Sequence, residues 1–213
     1  MNLTKTWSYL RACPHCHFWF GKTDLFCVTC WGLANRERSW KKATEYQLDT
    51  TVLFCWREEN NIVAELIYAF KGGELKEASQ RLACWILSSV DTLDIKNAVF
   101  IPAPPRKPRN YDHATQLAQS LSGLSGRPYF NALERVDSEG QKHLKQTERW
   151  SIKMKLNGTF EVDALKEQRI IFIDDVVTTG ATAQAAYLAL EKPRNFKVWA
   201  LAYRPRLAWE APL

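Results

Sequence analysis

Apolar positions along this chain fall into two kinds of run. Thr51 to Trp56 (TVLFCW), Ala98 to Ile101 (AVFI), Ile170 to Ile173 (IIFI) and Lys197 to Ala202 (KVWALA) are short and nearly continuous. Such runs suit strands buried on both faces of a sheet. Between them, apolar residues recur at helical spacing. Asn61 to Phe70 places Ile62, Leu66, Ala69 and Phe70 on one side and ends at Gly72-Gly73, while Leu75 to Val90 carries Leu82, Trp85, Ile86 and Ser89 on a common face. His113 to Leu124 and Thr182 to Leu190 also predict helices. Strands alternating with helices predict an α/β fold, a parallel sheet with helices on both faces. Asp137 to Gly158 is charged, lacks clear periodicity, and reads as a loop or mobile arm.

The first part of the chain differs. From Met1 to about Arg38 it is rich in cysteine, histidine and aromatics and poor in aliphatic runs, so it cannot bury a core of its own. A charged stretch, Asn35 to Lys42, leads into the main body. The expected organisation is a small four-cysteine module over residues 1–38 and a sheet domain over residues 45–213.

The totals add limits. With 213 residues, 46% apolar and 24% charged, the chain has ordinary globular composition, and a formal net charge of +6 favours anionic partners. No run approaches the roughly 18 apolar residues needed to span a bilayer, and the opening MNLTKTWSYL lacks the pattern of a secretory signal. These features predict a cytoplasmic protein without membrane insertion. In that reducing compartment cysteines serve as metal ligands or core residues rather than disulfides.

Cys13-Pro-His-Cys16 and Cys27-Val-Thr-Cys30 form two CxxC pairs separated by ten residues. Each pair sets two thiolates along one edge of a tetrahedron, and two pairs complete the four soft ligands that structural Zn²⁺ takes. Metal binding then supplies folding free energy that so short a segment lacks. Two redox dithiols are the competing reading, but a thioredoxin-like site needs only one CxxC, placed after a strand. His15 and His17 flank the first pair and are read as exposed. Cys55 and Cys84 sit among apolar residues and are read as core.

Ile170-Ile-Phe-Ile-Asp174-Asp175-Val176-Val177-Thr178-Thr179-Gly180-Ala181-Thr182 is the most informative stretch. A buried strand delivers two carboxylates to its carboxyl end, where open α/β sheets bind ligands. The following loop has three hydroxyls and a glycine, and it opens a helix whose first N–H groups suit a phosphate. Adjacent carboxylates accept hydrogen bonds from ribose hydroxyls or contact hydrated Mg²⁺. The bland alternative is a strand–turn–helix whose acids merely cap the helix. A Walker phosphate loop is excluded because no GxxxxGK sequence is present.

DDVVTTGAT resembles the phosphoribosyl-pyrophosphate (PRPP) motif of type I phosphoribosyltransferases. Together with the cysteine pairs ahead of it, the chain resembles the ComF family, associated with natural competence and DNA uptake. Phe70-Lys71-Gly72-Gly73 is similar to that family's lysine–glycine turn. Ile101-Pro-Ala103-Pro104-Pro-Arg106 is similar to its proline-rich turn, and Gln141 to Phe160 to its basic arm. One departure lies in Pro105 to Gln116, where the family's glycine and asparagine are absent. The resemblance implies a type I phosphoribosyltransferase-like sheet preceded by a zinc module. It implies that Asp174 and Asp175 address the ribose, with Val176, Val177, Thr178, Thr179, Gly180, Ala181 and Thr182 around the 5-phosphate. Lys71, Ala103, Pro104, Arg106 and Arg109 fall on the pyrophosphate side, and Mg²⁺ accompanies PRPP.

Lys142, Lys145, Arg149, Trp150, Lys153 and Lys155 follow one another along the arm. Cations that track phosphates beside a stacking ring suit single-stranded DNA; a solvated lid is the alternative. Trp7, Trp19, Trp31 and Trp40 either extend a stacking surface or pack around the cysteine module. Two functions follow. One is a DNA-uptake component that holds PRPP or a related ligand and engages single-stranded DNA or a helicase-like partner. The other is an active phosphoribosyltransferase, a glycosyltransferase that transfers phosphoribose from PRPP to a base.

Overall fold

A computed structural model describes residues 10–21, 25–56, 61–72, 76–106, 112–136, 152–158, 165 and 167–204. Strands β1 (Leu10–Ala12) and β2 (Trp19–Gly21) form an antiparallel hairpin, followed by helix α1 (Val28–Arg36). The main sheet takes β3 (Arg38–Lys42), β4 (Asp49–Cys55), β5 (Ala98–Pro102), β8 (Arg169–Val177) and β9 (Phe196–Tyr203) in the order β3-β4-β9-β8-β5. Every pairing in it is parallel except that of β3 with β4. Helices α2 (Asn61–Gly72), α3 (Lys76–Leu87), α4 (His113–Ser125) and α5 (Ala181–Ala189) cover it. A second hairpin pairs β6 (Leu133–Arg135) with β7 (Met154–Leu156). The architecture is thus mixed α/β with a mainly parallel sheet, as the alternating pattern predicts.

Burial on both faces explains the apolar runs. Ile171, Ile173, Phe100, Leu53 and Trp199 pack against α2, α3 and α4. Ile170, Phe172, Val52, Val99 and Val198 pack against α5 and the β6–β7 hairpin. The charged stretch Asn35 to Lys42, read as a connector, supplies the edge strand β3. Its charges suit an edge, where one side has no strand partner. Trp40 takes a positive φ of 40° at the register shift between Arg38 and Lys41, and its ring meets Trp199 at 5.2 Å.

Two other expectations change. The carboxyl end of the arm is strand β7, not loop; residues 137–151 lie outside the described residues. Cys84 is exposed on α3, and Cys55 is only half-buried at the end of β4, so neither is a fully buried core residue.

The cysteine module shares the core of the sheet's helical face. Cys13, Leu25, Phe26, Trp31 and Ala34 lie in one buried cluster with α2 and α3. Trp31, 3% exposed, meets Trp85 of α3 edge-on at 5.3 Å, and Arg81 lies over its ring. Trp31 and Trp40 therefore pack rather than form a stacking surface. Trp7 lies outside the described residues. Trp31→Ala should destabilise the chain by about 3–5 kcal/mol, the range for deleting a buried large aromatic. Urea unfolding checks this, and a loss below about 1 kcal/mol would contradict the shared core.

Candidate functional site

Strand β8 runs through the acids and ends at Val177. Ile171 and Ile173 face one side and Ile170 and Phe172 the other, and where the strand reaches the sheet edge both carboxylates border one cavity. Lys71, at the end of α2, reaches Asp175 at 3.1 Å. Asp174 is 8% exposed and accepts the backbone N–H of Asp175 at 2.9 Å. Burial, then repulsion from Asp175, pushes the Asp174 carboxyl up to about 7, against a smaller opposing pull from Arg135. Asp174 therefore keeps a proton toward neutrality, which an incoming cation would displace.

Arg135 comes from β6, where its register partner is Met154. In an antiparallel ladder it shares a face with Leu133 and Leu156, while Glu134 and Lys155 point the other way and pair at 2.8 Å. Its Nε donates to the carbonyl of Pro104 at 3.0 Å, tying the hairpin to the end of β5. Burial, then nearby Arg106, lowers the guanidinium pKa, which the two aspartates partly offset. Arg135 is a site residue absent from the sequence reading. Its signal, a core-facing position on a strand, emerges only once β7 is known to pair with β6.

The loop enters α5 through Gly180, whose φ of +75° is left-handed and needs no side chain. Val176, Thr178, Thr179, Ala181 and Thr182 line one cavity of about 690 Å³ together with Asp174 and Asp175. Val177 is buried in the sheet core instead, and Gly180 turns its α-carbon toward the ring of Tyr46.

The rest of that cavity follows from strand order. Ladder bonds continue past the strand ends from Trp56 N–H to the Tyr203 carbonyl, Arg204 N–H to Val177, and Ala103 N–H to Ile173. The carboxyl edge thus presents, in turn, Trp56 after β4, Arg204 after β9, the acids and loop of β8, and Ala103, Pro104 and Arg106 after β5. Lys71 and Arg135 complete the cationic wall, and Tyr68 of α2 stands edge-on to Trp56 at 5.5 Å. Tyr68 is 61% exposed and Arg204 lies over the Trp56 ring. His113 hydrogen-bonds the Lys71 carbonyl and so anchors the end of α2, and Asp112 caps α4 through the Thr115 N–H at 3.0 Å. Arg109 lies outside the described residues.

The sulfurs of Cys13, Cys16, Cys27 and Cys30 all lie within 4.8 Å of one another, with Cys16 and Cys27 at 3.6 Å. Zn–S bonds of about 2.3 Å require tetrahedral S···S edges near about 3.8 Å, so the cluster fits a four-thiolate ion. Burial raises the Cys13 thiol, but backbone N–H groups of Cys16, Cys27 and His15 outweigh it and bring it down to about 7. Burial and the neighbouring thiols push Cys30 up. A dication among these sulfurs would favour their thiolate form. His15 is not a ligand here: its Nδ1 meets Glu65 of α2 at 2.5 Å.

Of the arm residues, Lys153 is exposed and Lys155 pairs with Glu134, while Lys142, Lys145, Arg149 and Trp150 lie outside the described residues. No helix among the described residues is long and apolar enough to cross a membrane.

No family profile and no curated protein matches the chain. Solved structures that are similar include adenine phosphoribosyltransferase from Leishmania tarentolae, 11% identical with a TM-score of 0.39, covering 83% of this chain and 88% of that one. Another is adenine phosphoribosyltransferase from Trypanosoma brucei in complex with AMP, pyrophosphate and ribose-5-phosphate, 12% identical with a TM-score of 0.41, covering 87% and 83%. Likeness this distant carries no argument about the site.

Two outcomes follow from the geometry. Because folding raises the Asp174 pKa, the folded chain keeps a proton that the unfolded chain loses between about pH 4 and about pH 7. Stability from this group is highest in acid and declines as pH rises through that window. Asp174→Asn should therefore gain stability over the parent, by a margin that widens from pH 5 to pH 8 in urea titrations; an equal margin at both would count against the shift. Cys13→Ser should abolish stoichiometric zinc measured by elemental analysis and loosen the packing around Trp31, read as a change in the chain's total tryptophan fluorescence. Full zinc occupancy in that variant would argue against the four-thiolate site.

Proposed function

We propose that the chain binds a 5-phosphorylated ribose, above all PRPP with Mg²⁺, and serves as a ComF-like component of DNA uptake. The observation that supports this most is the sharing of one cavity by two carboxylates, a hydroxyl-bearing loop at a helix start, and the cations Lys71, Arg106 and Arg135. Each half of a phosphorylated sugar has a match. The loop from Thr178 to Thr182 offers hydroxyls and first-turn N–H groups to the 5-phosphate. Asp174 and Asp175 accept hydrogen bonds from adjacent ribose hydroxyls. The wall of Lys71, Ala103, Pro104 and Arg106 suits a pyrophosphate, which lysine and arginine bind through charge and fork geometry, and Arg109, three residues on in sequence, is proposed to join it.

Mg²⁺ prefers hard oxygen ligands and keeps several waters, so the two carboxylates and the ligand's phosphates suit it. When bound it supplies neutralising charge. Arrival of a cation beside Asp174 favours the ionised carboxylate, and binding near pH 7 should release a proton.

The basic arm and the net charge of +6 support contact with single-stranded DNA and, through it, work beside a helicase-like partner. Trp56 and Tyr68 support a second reading. Aromatic rings in the cavity of the ribose acids, Tyr68 largely exposed among them, suit a ring-bearing acceptor, which would make the chain an active phosphoribosyltransferase.

Calorimetric titration with PRPP and Mg²⁺ should show binding that Asp174→Ala/Asp175→Ala weakens by more than about 100-fold. Each hydrogen bond to a charged group is worth about 1.5–3 kcal/mol, and several are lost. Zinc content should stay unchanged. Equal affinity in parent and variant would remove the ribose role. Affinity for single-stranded DNA should fall steeply with added salt, as phosphate contacts require; no salt-sensitive binding would refute the DNA half. Pyrophosphate release with one added base would favour the transferase.

A further inference from the structure

Tyr46 stands behind the loop, in the turn between β3 and β4. A second cavity of about 370 Å³ opens there, and Tyr46, Thr179 and Gly180 belong to its wall. The Tyr46 hydroxyl donates to the carbonyl of Thr178 at 2.7 Å. Its nearest ring carbon lies 2.9 Å from where a Cβ on Gly180 would stand, so glycine is favoured at that position twice over, for its φ and for this contact. An edge-on contact with Tyr203 at 5.7 Å fixes the ring from the β9 side.

A trans peptide points its C=O and N–H in opposite directions. Thr178 and Thr179 line the large front cavity, and Tyr46 does not. By holding the Thr178 carbonyl to the rear, the Tyr46 hydroxyl turns the N–H of Thr179 toward the front. We propose that Tyr46 is a positioning residue that locks this one peptide in the orientation that offers an N–H, rather than a carbonyl oxygen, to an anion. This rests on reading the loop as a phosphate cradle. With the peptide reversed, a carbonyl dipole would face the phosphate and repel it. The turn between β3 and β4, far from the motif in sequence, thereby sets the affinity of the loop.

Tyr46→Phe separates this role from simple packing, because it keeps the ring against Gly180 and removes only the hydroxyl. Ribose 5-phosphate is titrated into parent and variant, and amide hydrogen exchange is measured over residues 178–182 without ligand. The expected result is affinity lower by about tenfold, the order of one lost hydrogen bond. Faster exchange in the loop should accompany it, while global unfolding in urea stays near that of the parent. Unchanged affinity and unchanged loop exchange would overturn the proposal and leave Tyr46 as filler. If the parent itself binds no ribose 5-phosphate, the cradle reading fails, and the exchange measurement alone then decides whether Tyr46 holds the peptide.

Discussion

Two adjacent carboxylates at the end of a strand buried on both faces, one of them itself buried, repel each other, and the surrounding structure answers that repulsion. Lys71 reaches Asp175 from the end of α2, Arg135 lies near Asp174 from the β6 hairpin, and Asp174 retains a proton toward neutrality. Neither cation arrives alone. His113 anchors the carbonyl of Lys71, and Arg135 is tied to Pro104. Elements from both faces of the sheet are thereby drawn to one point on its carboxyl edge. The cavity is what remains between them, walled by carboxylates, hydroxyls and cations together.

The cysteine module connects to the same arrangement. It shares a core with α2 and α3 through Trp31 and Phe26, and His15 meets Glu65 on α2. Helix α2 carries Glu65, Tyr68 and Lys71 in succession, so the segment that faces the sulfur cluster also contributes the cation on Asp175. An ion held by those four sulfurs would stabilise the helix that completes the cavity. That link makes the module part of the scaffold rather than an independent appendage.

Much of this was legible in the sequence because the signals were local. A continuous apolar run ending in two acids, followed by a hydroxyl–glycine loop, describes strand, edge and helix start within thirteen residues. Two CxxC pairs describe a tetrahedron in the same way. Other parts were illegible for equally physical reasons. Strand β3 is charged because it is an edge, so its composition looks like a connector. Strands β6 and β7 are three residues each and pair across a long intervening segment, which leaves no periodicity to read and hides Arg135. Tyr46 acts through a hydrogen bond to a residue 132 positions away. The apolar neighbours of Cys84 in sequence lie on another face of its helix, so a buried position is expected where the structure exposes it.

The central claim is that the loop and acid pair grip a phosphorylated ribose. Phosphorus NMR of PRPP tests it most directly, since the 5-phosphate and the pyrophosphate give separate resonances. Adding the protein with Mg²⁺ should shift or broaden the 5-phosphate line saturably, with excess ribose 5-phosphate restoring it. A 5-phosphate line that stays unmoved at protein excess would contradict the account.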